Sequence, residues 1–134
     1  MTFTYLRGDV LRAVHAQLIQ TYGGLPGIRD EGALESAIAR PRQLHIYTGE
    51  VRIAALAASL PWAILRTHPF ADGNKRVALA ALVMSAHLNH HRLTCSQSEE
   101  TAMVLNAAAS GISEDEWTAW ALRVVVPDAS RVRS

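Results

Sequence analysis

The sequence predicts an all-α protein, a compact bundle of about six helices. Its 134 residues are 49% hydrophobic and 19% charged, which is typical of one globular domain with its own core. Capping residues, glycines and prolines divide the chain into segments with helical spacing. The stretch "RLTCS" alone resembles a strand, and one short strand makes no sheet. We expect a single domain over residues 1–126 and a short C-terminal tail over residues 127–134.

Two helices are predicted before residue 50. Asp9 is expected to cap a first helix that reaches about Tyr22, and one apolar face of this helix is expected to carry Leu11, Val14, Leu18 and Tyr22. After the break "GGLPG", Asp30 is expected to cap a short second helix, which Pro41 ends because proline lacks the N–H that a helix needs.

Two central helices follow in the sequence. Residues 50–67 are apolar nearly all round, which is typical of a buried central helix, and Pro61 is expected to kink or divide it. Residues 75–91 predict a second largely buried helix. Two capping boxes, "SQSE" and "SEDE", then predict two final helices, the last of which stops at Pro127.

Charge and composition exclude several classes of protein. Thirteen basic residues against twelve acidic ones give a net charge of +1, so we expect no direct contact with nucleic acid, which requires clustered cations. The single cysteine excludes an intramolecular disulfide. No apolar stretch is long enough to span a bilayer, and the first residues do not resemble a signal peptide, so we expect no membrane association and a cytoplasmic location.

The polar chemistry of the chain is concentrated in "HPFADGNKR", residues 68–76, between the two central helices. Gly73 permits close backbone approach, and Asn74, Lys75 and Arg76 form the first turn of the next helix. First-turn N–H groups lack intrahelical acceptors and carry positive charge, so this turn predicts an anion site suited to phosphate.

Two further side chains complete a reactive pattern. His68 is a candidate general base, because histidine accepts protons near neutral pH. Asp72 is the natural Mg²⁺ ligand beside a phosphate site, since Mg²⁺ favours one or two carboxylates plus phosphate oxygens. Each residue alone fits an ordinary turn or helix end. Their combination favours phosphoryl-type transfer to a hydroxyl.

Residues 68–76 resemble the signature of the Fic/Doc superfamily, and residues 22–41 are similar to the segment before the active-site helices in its Doc branch. The resemblance covers nearly the whole chain and implies a compact helical Fic fold. It implies that His68 acts on the target hydroxyl and that Asp72 holds Mg²⁺. The residues implied to bind ATP phosphates are Gly73, Asn74, Lys75, Arg76 and Arg66.

Two positions separate the branches of this superfamily. AMP-transferring Fic enzymes usually carry glycine in place of Lys75 and a second arginine in place of Leu79. The Doc pattern implies a toxin that binds ATP reversed and phosphorylates a threonine or serine, in Doc a threonine of elongation factor Tu. An AMP transferase is the alternative, and a catalytically silent helical binding module is the alternative from another class.

The loop before the second helix has a predicted role as well. In the family it forms a flap that positions the target, which would involve Gly27, Ile28, Arg29 and Asp30. A plain helix–helix connection is an equally good interpretation of the residues. The chain lacks the Ser/Thr-x-x-x-Glu-Gly/Asn inhibitory helix of some Fic proteins. The resemblance therefore implies a separate Phd-type antitoxin that restrains the toxin.

Overall fold

The computed structural model describes residues 2–130, which form six α-helices and two short strands. The helices are α1 Gly8–Tyr22, α2 Glu31–Thr48, α3 Ile53–Thr67, α4 Asn74–Leu88, α5 Gln97–Ala108 and α6 Glu114–Val124, and the strands are β1 His91–Leu93 and β2 Val125–Pro127. This architecture confirms the predicted all-α bundle.

Helix α3 lies at the centre of the bundle and contacts α2, α4, α5 and α6. It is buried on nearly every face, and Leu60, Ile64 and Leu65 have almost no exposed surface. The continuous apolar pattern of residues 50–67 predicted this position correctly. Because α3 and α4 are packed side by side, the loop that joins them is anchored at both ends by rigid elements.

The two internal prolines do not interrupt their helices. Helix α2 continues through Pro41 to Thr48, and α3 contains Pro61 without dividing. The prediction that Pro41 ends the second helix is therefore wrong, and so is a division at Pro61. Both prolines are buried, so the packing of their rings offsets the loss of one backbone hydrogen bond at each position.

Of the two aspartates that were predicted to cap the first two helices, one does so and the other does not. Asp30 caps α2 as predicted, because its carboxylate accepts a hydrogen bond from the N–H of Ala33 at 3.0 Å. Helix α1 instead begins at Gly8 with Arg7 as its N-cap and no side-chain cap. Asp9 lies inside the first turn, where its carboxylate accepts from the Arg7 guanidinium, so the prediction of an Asp9 cap is wrong.

One of the two predicted capping boxes is complete, and the other is partial. Ser113 and Glu116 exchange both hydrogen bonds at the start of α6. At α5, Ser96 accepts from the N–H of Glu99, but the Glu99 carboxylate accepts from the indole of Trp120 at 2.8 Å. That side chain therefore joins α5 to α6.

A small sheet closes the C-terminal end of the described chain. Strand β1 pairs antiparallel with β2, with His91 opposite Pro127, so the prediction that no sheet forms is wrong. The partner strand follows α6 directly, which ends at Val124 and not at Pro127. The predicted boundary between residues 126 and 127 falls inside β2, and residues 131–134 of the expected tail lie outside the described residues. None of the helices described is both long and apolar enough to cross a membrane.

Candidate active site

The loop between α3 and α4, residues 68–73, turns through two left-handed residues. His68 has φ 48° and donates its N–H to the carbonyl of Ile64, which ends α3, while Gly73 has φ 74° and begins α4. Glycine adopts this conformation freely, whereas histidine pays a steric cost of about 1 kcal/mol or more. The imidazole of His68 is exposed, so other contacts must hold the loop in this shape.

Phe70 and Asn74 fix the loop from within. Phe70 is 1% exposed and belongs to the hydrophobic core. The Asn74 side chain accepts from the Phe70 N–H at 3.1 Å and donates to the Phe70 carbonyl at 3.0 Å. Asn74 was predicted to bind phosphate, and the structure shows that its amide also shapes the loop.

His15 of α1 contacts the same loop, and the sequence alone did not indicate a partner for this side chain. Its Nε2 lies 2.8 Å from the carbonyl oxygen of Asp72, and its ring stacks on Phe70 with centroids 3.8 Å apart and planes at 14°. His15 is buried four residues after Leu11 on the core-facing side of α1. That spacing was the available signal that His15 is an interior residue.

The segment of residues 27–30 is hydrogen-bonded along the loop. Its backbone bonds are Ala71 N–H to the Gly27 carbonyl, and Arg29 N–H and Asp30 N–H to the Pro69 carbonyl, around an antiparallel bridge between Ile28 and Phe70. The four residues predicted to form a flap are thus brought against the motif. Their role toward a target stays a prediction.

The Arg29 side chain adds a second connection between these segments. Its guanidinium donates to the carbonyl of Thr67 at 2.5 Å and to the carbonyl of His68 at 2.8 Å. These carbonyls lie at the C-terminal end of α3, where the helix dipole is negative, so a cation is favoured there. Arg29 therefore stabilises the backbone that carries His68.

Asp72 is exposed, and each of its carboxylate oxygens accepts one backbone hydrogen bond, Oδ2 from Leu25 at 3.2 Å and Oδ1 from Gly73 at 2.9 Å. The N–H groups of Leu25 and Gly73 lower the pKa of Asp72 below its ordinary value, and the positive charge of Arg76 adds to this effect. The carboxylate is therefore ionised throughout the neutral range.

This carboxylate fits the predicted Mg²⁺ ligand. Each Asp72 oxygen has a further acceptor position, since a carboxylate accepts about four hydrogen bonds or metal contacts. Within residues 2–130 no group of three or more His, Cys, Asp or Glu side chains could hold a metal ion. A cation at Asp72 would thus take its other ligands from phosphate oxygens and water, as Mg²⁺ does in nucleotide sites.

Glycine is required beside this carboxylate. Gly24 has φ 115°, and a Cβ atom there would lie 2.9 Å from Oδ2 of Asp72. A larger residue would displace the carboxylate or the turn that donates to it.

Lys75 and Arg76 extend the cationic side of the site, and both are exposed in the first turn of α4. The Arg76 guanidinium lies 4.4 Å from the centroid of the Tyr22 ring, a cation–π contact that limits its motion. Tyr22 was predicted as part of an apolar helix face. It is 60% exposed, and its contact with Arg76 was not expected from the sequence.

Residues of the motif, of α4 and of α5 line one cavity of about 670 Å³. His68 and residues 71–76 contribute the candidate base, the candidate metal ligand and the candidate anion-binding turn. The other lining residues are Leu79 of α4 and Thr101, Val104 and Leu105 of α5. The volume is typical of a small-molecule site.

Arg66 is the predicted phosphate-binding residue that does not line this cavity. Its guanidinium donates to the Ala107 carbonyl at 3.0 Å and lies 5.6 Å from the Trp62 ring centroid. Arg66 therefore connects α3 to α5, and a role toward ATP stays a prediction.

Comparison with known proteins agrees with the geometry of this site. A family model described as Fic/DOC family matches residues 5–86. The chain is 32% identical to the protein kinase doc of Escherichia phage P1 over 107 residues, which are 80% of this chain and 83% of that protein. It is 40% identical over 85 residues to toxin Doc of Mycolicibacterium smegmatis, 62% of each chain. The chain therefore belongs to the Fic/DOC family, and within it to the Doc branch.

Proposed function

We propose that this protein is a Doc-type toxin that transfers the γ-phosphate of ATP to a threonine or serine hydroxyl of another protein. One observation carries the proposal: His68, the Asp72 carboxylate and the N-terminus of α4 line a single cavity. A base, a metal ligand and an anion site are the groups that phosphoryl transfer requires. The names of two relatives, a protein kinase and a toxin, support the same activity.

The first turn of α4 binds the phosphates in this proposal. Its N–H groups have no acceptors within the helix, and they point out of the end that Gly73 caps in a left-handed conformation. Lys75 and Arg76 add two positive charges on the cavity lining. Mg²⁺ held by Asp72 would offset the negative charge of the triphosphate.

His68 serves as the general base. The oxygen of the target hydroxyl attacks the γ-phosphorus, the bond from that phosphorus to the β,γ-bridging oxygen breaks, and ADP leaves. The hydroxyl proton passes to the imidazole of His68, which is exposed on the cavity lining. Arg29 holds the His68 carbonyl, so the imidazole is presented from a fixed backbone.

Residues 75 and 79 favour phosphate transfer over AMP transfer. Lys75 adds charge and bulk at the anion site, where the AMP-transferring relatives usually have glycine. Leu79 lines the cavity with an apolar side chain, where those enzymes have an arginine that grips distal phosphates. Both substitutions weaken the binding mode in which the α-phosphorus faces the acceptor.

The partners follow from the family. We propose a threonine of elongation factor Tu as the acceptor, so that its phosphorylation arrests translation, and a Phd-type antitoxin as the inhibitor. Residues 27–30 would position the target segment, since they are paired with the motif loop beside His68.

Isotope transfer tests the proposal. The purified protein is incubated with elongation factor Tu and Mg²⁺, in parallel with ATP labelled at the γ- or the α-phosphate, and His68→Ala is the matched inactive control. Transfer of the γ-label alone supports the kinase. Transfer of the α-label identifies an AMP transferase. In a second assay, the wild type and His68→Ala are expressed in growing cells. Growth arrest that persists in His68→Ala, while neither label is transferred in the first assay, identifies a silent binding module.

A further inference from the structure

The cavity has an apolar wall that the phosphate chemistry does not use. Leu79, Val104 and Leu105 form it, and Thr101 contributes a hydroxyl at its edge. Three of these residues belong to α5, which lies beyond residues 5–86, the part of the chain that the family model matches. Most of the wall therefore lies outside the motif, and the chemistry of the motif gives it no role.

The wall lies within reach of the anion site. Leu79 follows Lys75 by one helical turn, so it is about 6 Å further along α4 from the phosphate-binding end. On α5, Thr101, Val104 and Leu105 share one face at the i, i+3, i+4 spacing. Arg66 fixes this helix to α3 through the Ala107 carbonyl, so the wall is held rigidly against the cavity.

Among the apolar residues of this wall, Leu105 has a large surface that a bound molecule could contact. Leu105 is 49% exposed, and it lines a cavity that is also lined by the polar residues His68, Asp72 and Lys75. A molecule with an anionic end and a flat apolar end is complementary to such a cavity, and a nucleoside triphosphate has this chemistry.

We propose that Leu79, Val104 and Leu105 are the nucleobase subsite, against which the purine of ATP packs. The proposal rests on the proposed kinase function and adds the residues that fix the nucleotide's direction. With the base on this wall, the triphosphate extends back to the first turn of α4. Its terminal phosphate then lies nearest to His68 and to the paired segment of residues 27–30.

A second apolar surface near the motif competes for the same role. Leu25, whose N–H donates to Asp72, is 67% exposed, and Tyr22, which contacts Arg76, is 60% exposed. Neither residue lines the cavity, and one face of the Tyr22 ring is already in contact with the Arg76 guanidinium. The α4–α5 wall is therefore the better site for the base.

Binding measurements separate base recognition from phosphate recognition. Calorimetric titration compares Mg·ATP with Mg·tripolyphosphate, which lacks the nucleoside, on wild type, Leu105→Ala and the control Leu88→Ala. Leu88 is 42% exposed and does not line the cavity. We expect Leu105→Ala to weaken ATP binding about fivefold and to leave tripolyphosphate binding unchanged. Leu88→Ala should change neither.

The outcomes distinguish the two proposals. If wild type binds both ligands and Leu105→Ala leaves ATP affinity unaltered, or weakens both ligands equally, the base subsite is wrong while the kinase proposal stands. If wild type binds neither ligand, the kinase proposal fails and the subsite fails with it. Thermal unfolding of Leu105→Ala checks that the exposed substitution preserves the fold.

Nuclear Overhauser effects give a direct readout of position. We expect contacts from the adenine H2 and H8 protons of bound ATP to the methyl groups of Leu79 and Leu105. Contacts to the Tyr22 ring or to the Leu25 methyl groups instead would overturn the proposal.

Discussion

Helix α3 has a loop at each end, and the two loops are held in opposite ways. The loop before it, residues 49–52, is stabilised by its immediate neighbours. The loop after it, residues 68–73, is stabilised by Asn74 and in addition by residues from α1 and from the α1–α2 connection. The left-handed residue of the first loop is Gly49, whereas the second loop has the left-handed Gly73 and also a left-handed residue that is not glycine, His68.

The hydrogen bonds of the first loop are local. His45 Nδ1 lies 2.8 Å from the Glu50 carbonyl oxygen, and the Glu50 carboxylate pairs with Arg52 at 2.6 Å. Each of these partners is within five residues of the other. Gly49 adopts φ 73° without a side chain to clash, so this left-handed turn carries little steric cost.

The second loop has, besides Asn74, partners that are distant in sequence. His15 lies 57 residues from Asp72, Leu25 lies 47 residues from it, and Arg29 lies 39 residues from His68. Backbone strain of this kind persists only where surrounding structure over-determines it, and it is common at functional sites. The motif loop therefore depends on contacts with distant parts of the fold, whereas the hydrogen bonds of the other loop come from its own neighbours in the sequence.

The largest expected effect is that of His68→Ala. Loss of a general base lowers the rate of phosphate transfer about 10²- to 10⁴-fold. His45→Ala is the matched control from the first loop, and it should leave the rate unchanged. The measurement is γ-phosphate transfer at saturating ATP, and equal rates for His68→Ala and wild type would contradict the account.

His15→Phe should have the next largest effect. Phenylalanine preserves the stacking on Phe70 but cannot bond to the Asp72 carbonyl, so the unfolding free energy falls by about 1–2 kcal/mol. We expect kcat to fall about tenfold because the Asp72–Gly73 peptide is no longer fixed. If stability falls while kcat per folded molecule stays the same, His15 is structural only.

Each of the two loops is bonded by one arginine, Arg29 for the loop after α3 and Arg52 for the loop before it, and these residues give a paired test. Arg29→Ala removes two charge-assisted hydrogen bonds to the loop that carries His68, and we expect kcat/KM to fall about fivefold. Arg52→Ala removes the pair with Glu50 and should leave kcat/KM unchanged. Equal activity losses in the two variants would show that the loops do not differ in this way.

The smallest effect concerns Glu50, whose pKa is lowered from 4.5 to about 2, first by the side-chain bond from Arg52 and then by backbone N–H groups. Because the pKa of Glu50 is lower in the folded protein than in the unfolded chain, its ionised carboxylate stabilises the fold above pH 4.5. This contribution to the free energy of unfolding is lost as the pH falls toward 2. Glu50→Gln should reduce the unfolding free energy by about 0.5–1 kcal/mol at pH 7. Denaturant titrations should show the difference shrinking between pH 4.5 and pH 2, and a constant difference would contradict the assignment.

Local signals in the sequence predicted most of the helices and the position of the motif. The Asp30 cap, the Ser113 box and the apolar run of α3 depend on neighbouring residues, and each is observed. Pro41 was misjudged because tertiary burial outweighs the cost of proline in a helix.

The support of the site was not predictable in the same way. His15 and Arg29 act through contacts made only after α1 and residues 27–30 pack against the loop. The pairing of β1 with β2 likewise joins segments more than 30 residues apart in the chain. Sequence periodicity carries no information about such contacts, whereas the residue types of the motif do indicate its chemistry.

A crystal structure of the protein with Mg²⁺ and the non-hydrolysable analogue β,γ-imido-ATP tests the central claim most directly. The account predicts phosphates bound at the first turn of α4, Mg²⁺ at Asp72, the base against Leu105 and the terminal phosphate nearest His68. A nucleotide bound outside this cavity, or one whose terminal phosphate lies farthest from His68, would contradict it.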